Sequence, residues 1–155
     1  MTRIVALLSL VSLFVATPNV ANACSCMEQS REAAFAAASD VFEGRVRSIT
    51  REGPANGGPE SAFVVEFDVV QTWKGAAHER VTVRTATQSA ACGYGFREHT
   101  SYLVYARTVQ DRMYAGLCSR TRLMSEAAED IRAMGAGVTP VDIDPNATVP
   151  SRRTR

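Results

Sequence analysis

Residues 62–73 read AFVVEFDVVQTW, and this stretch decides the fold class. Phe63, Val65, Phe67, Val69 and Trp73 share one parity, while Glu66, Asp68 and Thr72 fall on the other. Alternation of that kind places the apolar set on one side of a pleated strand and the polar set on the other. Working outward, Lys74-Gly75 turns the chain and Arg80–Thr85 (RVTVRT) reads as the next strand. On the other side, Arg51–Ser61 is a loop punctuated by Gly57-Gly58-Pro59. Before it, Val41–Thr50 (VFEGRVRSIT) reads as a strand with Phe42, Val46 and Ser48 opposite Val41, Arg45 and Arg47.

Further along, Thr87–Phe96 lacks a period and holds Cys92, Gly93 and Gly95. Ser101–Arg107 (SYLVYAR) and Met113–Cys118 (MYAGLC) read as a hairpin across Thr108–Arg112. Two short helices complete the pattern. Ser30 caps an alanine-rich segment, Arg31–Ser39, that packs through Phe35. Ser125 caps Glu126–Met134, with Glu126, Glu129 and Asp130 near its positive end and Gly135 or Gly137 after it. Five short strands and two small helices predict a mainly β domain closed into a five-stranded Greek-key barrel, which removes exposed strand edges.

The 155 residues fit one ordinary domain. Arg3, the apolar run Ile4–Ala16 and Ala21-Asn22-Ala23 have the layout of a cleaved signal peptide over residues 1–23. The run is too short for a comfortable membrane span, and no later stretch is long enough. The expected domain is 24–137, followed by a proline-bearing flexible tail, 138–155, that includes the glycosylation acceptor Asn146-Ala147-Thr148. Cleavage removes Arg3 and no acid, leaving 16 basic and 16 acidic side chains. A neutral exported chain has no electrostatic reason to bind nucleic acid. The four cysteines, Cys24, Cys26, Cys92 and Cys118, are even in number and read as disulfides in an exported chain; of three pairings, a Cys24–Cys26 bond would strain its one-residue gap, which leaves two long-range options open. Cys-Ser-Cys departs from the Cys-x(2–4)-Cys spacing of zinc sites, so no metal of its own is expected.

Cys24 becomes the first residue after the cut. An ordered set of landmarks follows it: Ala34-Phe35, Ser39-Asp40-Val41-Phe42, VQTWKG at 70–75, SAACG at 89–93, Tyr102-Leu103-Val104 and Leu117-Cys118. With its opening Cys24-Ser25-Cys26, the chain resembles the amino-terminal domain of the tissue inhibitors of metalloproteinases, a netrin-like module with the oligonucleotide/oligosaccharide-binding (OB) fold. The resemblance implies an OB-fold barrel and the pairings Cys24–Cys92 and Cys26–Cys118. It also implies that the free amine and carbonyl of Cys24 chelate the catalytic zinc of a target metalloproteinase. Ser25 would then enter the pocket beside that zinc. Cys26, Met27 and Glu28 would lie along the cleft, and Ser89, Ala90 and Ala91 would fill its other side.

The chain departs from the family at Ala36, which replaces a third-disulfide cysteine, and at Met27-Glu28-Gln29, where the family has a proline. The family's second, cysteine-rich domain has no counterpart, so the expected form is a single domain.

The chain has no His-Glu-x-x-His and is not expected to be an enzyme. His78 and His99 read as solvated loop residues, Gly93-Tyr94-Gly95 as a turn, Trp73 as core, and Ser119-Arg120-Thr121-Arg122 as a solvated basic patch. Two alternatives compete for the terminus. One is a non-inhibitory netrin-like binding module of the cell envelope, with Cys24 as a staple or a lipid site. Ala21 and Asn22 fit the lipidation pattern poorly, and lipid would consume both the amine and the thiol. The other is a Cys-x-Cys thiol oxidoreductase, which needs a depressed thiol pKa that no basic neighbours supply. The expected location is secreted or periplasmic, and the oligomeric state is left open.

Overall fold

The computed structural model describes residues 24–55 and 61–140. The leader 1–23 and Asn146-Ala147-Thr148 lie outside the described residues. The elements run α1 (Arg31–Ala37), β1 (Asp40–Glu52), β2 (Ala62–Lys74), β3 (Arg80–Ala86), β4 (Ser101–Val109), β5 (Arg112–Tyr114), β6 (Arg122–Leu123) and α2 (Ala128–Met134).

Strands β1, β2, β3, β5 and β4 hydrogen-bond in that order, and β4 returns to β1, closing a five-stranded barrel. β3 and β5 pair in parallel, whereas the other neighbours are antiparallel. This is the expected mainly β barrel of the OB-fold kind, with two short helices. The small strand β6 joins β4 outside the closed ring. Closure depends on the length of β1, whose Val41–Arg45 segment pairs with both β2 and β4.

Two apolar clusters form because β1 and β4 are buried on both faces. Inside the barrel lie Phe42, Val46, Val65, Phe67, Val83, Phe96, Tyr102 and Val104. Their rings meet edge to face, with centroids 5.7 Å apart for Phe42–Phe67 and 5.2 Å for Phe67–Phe96. Outside, Val41, Leu103 and Tyr105 are covered by Ala34 and Ala38 at α1 and by Ala127 beside α2.

β2 bears out the alternation over Phe63–Val69, but Trp73 belongs to the outer cluster. Register shifts between Val41 and Phe42 and between Glu43 and Gly44 bring Phe42 opposite Thr72. The parity therefore changes before the strand ends. Thr72 turns inward and is buried, while Trp73 packs outside and its indole N–H donates to the Gly135 carbonyl at 2.8 Å.

Ser30 caps α1 as expected, its Oγ accepting from the Ala33 N–H at 3.1 Å. The helix stops at Ala37, two residues early, because Ser39 and Asp40 are recruited to the barrel edge. Ser39 Oγ accepts from the Thr108 N–H at 2.7 Å, and Lys74 Nζ donates to the Phe35 and Ala36 carbonyls at the helix end. Ser125 is not a cap: it sits in a 3-10 turn, Met124–Glu126, and α2 begins at Ala128 without a side-chain cap. The hairpin forms, but with a two-residue turn, Gln110-Asp111, and with β5 ending at Tyr114. Val138, the first residue of the expected tail, exchanges two hydrogen bonds with Thr72 at 2.7 and 2.8 Å.

Candidate functional site

Two tight backbone features position the barrel's half of the site. Ser89–Ala91 make one 3-10 turn that leaves Cys92 at φ 60°. Gly93 then pairs with Gly116 in an isolated bridge. Any side chain at Gly93 would collide with backbone, since a Cβ there would lie 2.0 Å from the Ala86 carbonyl oxygen. At Gly116 a Cβ would meet the Cys92 oxygen at 2.6 Å. The Leu117 N–H donates to that same Cys92 oxygen at 2.8 Å. Glycine at both positions thus lets the 88–93 and 115–118 segments lie against each other, carrying Cys92 and Cys118 together.

The amino-terminal segment is fastened to this platform. Cys24 bonds Cys92 and Cys26 bonds Cys118, so both pairings implied by the resemblance are present. The bridges close separations of 68 and 92 residues. In the chain-entropy argument each loop is worth about 4–5 kcal/mol before strain. Residues 24–30 have no regular structure and lie open to solvent: Ser25, Cys26 and Glu28 are exposed, Cys24 is half-buried and Met27 is 86% exposed. Ser89, Ala90 and Ala91 are exposed on the neighbouring turn. Residues 24–28 therefore form a projecting ridge with a second small ridge tied beside it through Cys24–Cys92.

The ridge is fixed at its far end by a polar network. Arg120 Nη1 donates to the Gln29 carbonyl at 3.5 Å, and Arg31 Nη1 to the Glu129 carbonyl at 3.1 Å. Arg120 also binds Asp130 through Nε at 2.5 Å, Arg122 Nη1 lies 3.5 Å from the same carboxylate, and the Tyr105 hydroxyl donates to it at 3.1 Å. Ser119–Arg122 is thus no solvated patch: two of its cations neutralise a carboxylate that is fully buried. Burial pushes the Asp130 carboxyl up, but the Arg120 hydrogen bond and charge, with Tyr105 and Arg122 adding, hold it below the ordinary value. Tyr105 is pushed up to about 12, first by burial and then by the charge of Asp130 and the hydrogen bond to it. Sequence reasoning missed this cluster because its members come from β4, the 119–122 segment and α2, with no shared spacing.

A groove of about 490 Å³ runs beside the bridges, lined among others by Ala34, Ala38, Tyr105, Cys118 and Arg120. On the other side of the 88–93 turn, an apolar recess of about 410 Å³ is lined by Phe63, Val65, Tyr94, Phe96 and Leu117. No protein-family model matches the chain, and no curated protein matches it in sequence. His78 and His99 are exposed, and among the described residues only the bridged cysteines Cys24, Cys26 and Cys118 cluster as metal-ligand types. Among those residues no helix is long and apolar enough to cross a membrane.

Proposed function

We propose that the exported chain inhibits zinc metalloendopeptidases with its amino terminus. The observation that carries this reading is the Cys24–Glu28 ridge, exposed from Ser25 onward, pinned by two disulfides to the barrel and flanked by Ser89–Ala91. Cleavage after Ala23 would leave a free α-amine with a pKa of about 8, which can lose its proton near neutrality. With the carbonyl of Cys24 it would form a five-membered chelate on the open position of a catalytic zinc. Ser25 would point into the adjoining pocket, Cys26, Met27 and Glu28 would follow the cleft, and Ser89, Ala90 and Ala91 would fill its far side. Pinning the ridge in advance lowers the ordering cost of binding.

The test is a panel of zinc endopeptidases assayed with chain that begins at Cys24. Inhibition is expected, and acetylating the Cys24 amine or adding one alanine before it should weaken inhibition at least about 100-fold without unfolding the barrel. Indifference of the whole panel at micromolar concentration overturns the reading. An intact mass carrying fatty acid at Cys24 does so as well, and points instead to an anchored binding module.

A further inference from the structure

The two bridges lie against each other rather than apart. Between them, Cys24 Sγ is 3.6 Å from Cys118 Sγ and 4.0 Å from Cys26 Sγ, and Cys118 Sγ is 3.8 Å from Cys92 Sγ. A tetrahedral zinc-class cation with metal–sulfur bonds of about 2.3 Å requires sulfur–sulfur edges of about 3.8 Å. Three edges of such a tetrahedron are therefore already present in the bridged protein. We propose that the four cysteines, once reduced, form a tetrathiolate site for one divalent cation of the zinc class, so that bridges and metal are alternative closures of the same two loops.

The surrounding structure favours that exchange. The two bonded pairs have to open and Cys26 has to move toward Cys92, and in each pair one sulfur sits on the irregular 24–30 segment that can give way. The other sulfur sits on backbone held independently of the bridges: Cys92 by the Gly93–Gly116 pairing, Cys118 by the turn that Ser119 closes onto the Gly116 carbonyl. The site is assembled by the fold and not by local spacing, which explains why Cys-Ser-Cys does not read as a zinc motif. The chemistry balances with a small dithiol as reductant. Each disulfide takes two electrons and two protons from one dithiol, which closes to its own disulfide. The cation then displaces the four thiol protons as it binds. Re-oxidation by two small disulfides, each taking two electrons from the thiolates and two protons from solvent to become a dithiol, re-forms both bridges and releases the cation.

The experiment uses the full chain, reduced anaerobically with a phosphine that is then removed, and titrated with cobalt(II) alone. Saturation at one equivalent is expected, with thiolate-to-cobalt charge-transfer absorption, the visible bands of a tetrahedral ion, and bleaching of both by zinc. The bridged protein should show neither, and Cys24→Ser with Cys26→Ser should abolish them. Absence of the bands, or their survival in that double variant, overturns the proposal. Should the reduced chain lose its β-sheet circular dichroism, zinc must restore it and shield all four thiols from alkylation, counted by mass. Failure of either overturns the proposal too.

Discussion

At the scale of single residues, Asp130 carries the largest electrostatic stake. Its folded carboxyl titrates below the ordinary value, so its stabilisation is complete above the unfolded carboxylate value of about 4 and is lost as pH falls through the lower folded one. Asp130→Asn should cost about 3 kcal/mol at pH 7, because two arginines lose a buried partner. Denaturant melts should show parent and variant converging only below about pH 4. Tyr105 works in the opposite direction. Its folded value is raised to about 12, so its contribution is whole below about pH 10 and disappears as pH climbs to 12. A loss of roughly 2–3 kcal/mol is expected over that window. Tyr105→Phe should flatten the alkaline limb and cost about 1 kcal/mol at neutrality for the missing hydroxyl. Gly93→Ala should block the approach of the 88–93 and 115–118 segments, and mass spectrometry after alkylation should find free thiols at Cys24 and Cys92.

At the scale of elements, the hairpin turn between β4 and β5 invites repair. Gln110 and Asp111 both hold positive φ, 49° and 60°, in a two-residue connection of the type I′ kind, where glycine is preferred at the second position. Asp111→Gly should raise stability by about 1 kcal/mol, read as a higher melting temperature with the fold unchanged. The elements also show what was legible in the sequence. β2 was plain because Phe63 to Val69 face one core and the opposite side is polar. β1 was blurred because Val41 and Phe42 are both buried, one under the helices and one inside the barrel. The parity of Trp73 points to the barrel interior, yet it packs in the outer cluster, because the register shifts opposite β1 leave no mark in the apolar pattern. β6 has two residues and no period to read. α2 begins two residues later than its sequence suggests, because Ser125 has the chemistry of a cap while its backbone is spent on a 3-10 turn. Of the candidate site, the cysteine ridge was legible from its place after the leader pattern. The Asp130 network was not, since a buried acid among distant arginines looks like any charged surface.

At the scale of the whole molecule, the bridges decide how much the barrel owes to covalent closure. Replacing Cys24 and Cys92 together by serine should cost about 2–5 kcal/mol, measured by denaturant unfolding. The Cys26–Cys118 bridge should persist in that variant, since Cys118 is seated by its own turn. The same double change should loosen the Ser89–Ala91 turn from the terminus, so hydrogen exchange at Ala91 and Cys92 should quicken more than at Val83 or Val104 in the core.

β1 is zipped on one flank by β2, its neighbour in the chain, and on the other by β4, which arrives some sixty residues later. The terminal cysteines wait longer still, for partners 68 and 92 positions downstream. Under the export proposed above, the cysteine segment would therefore emerge with nothing to grasp until Cys92 and Cys118 had followed. Barrel closure and both bridges would then wait for those late contacts, so the earliest of the cysteines would be among the last residues locked.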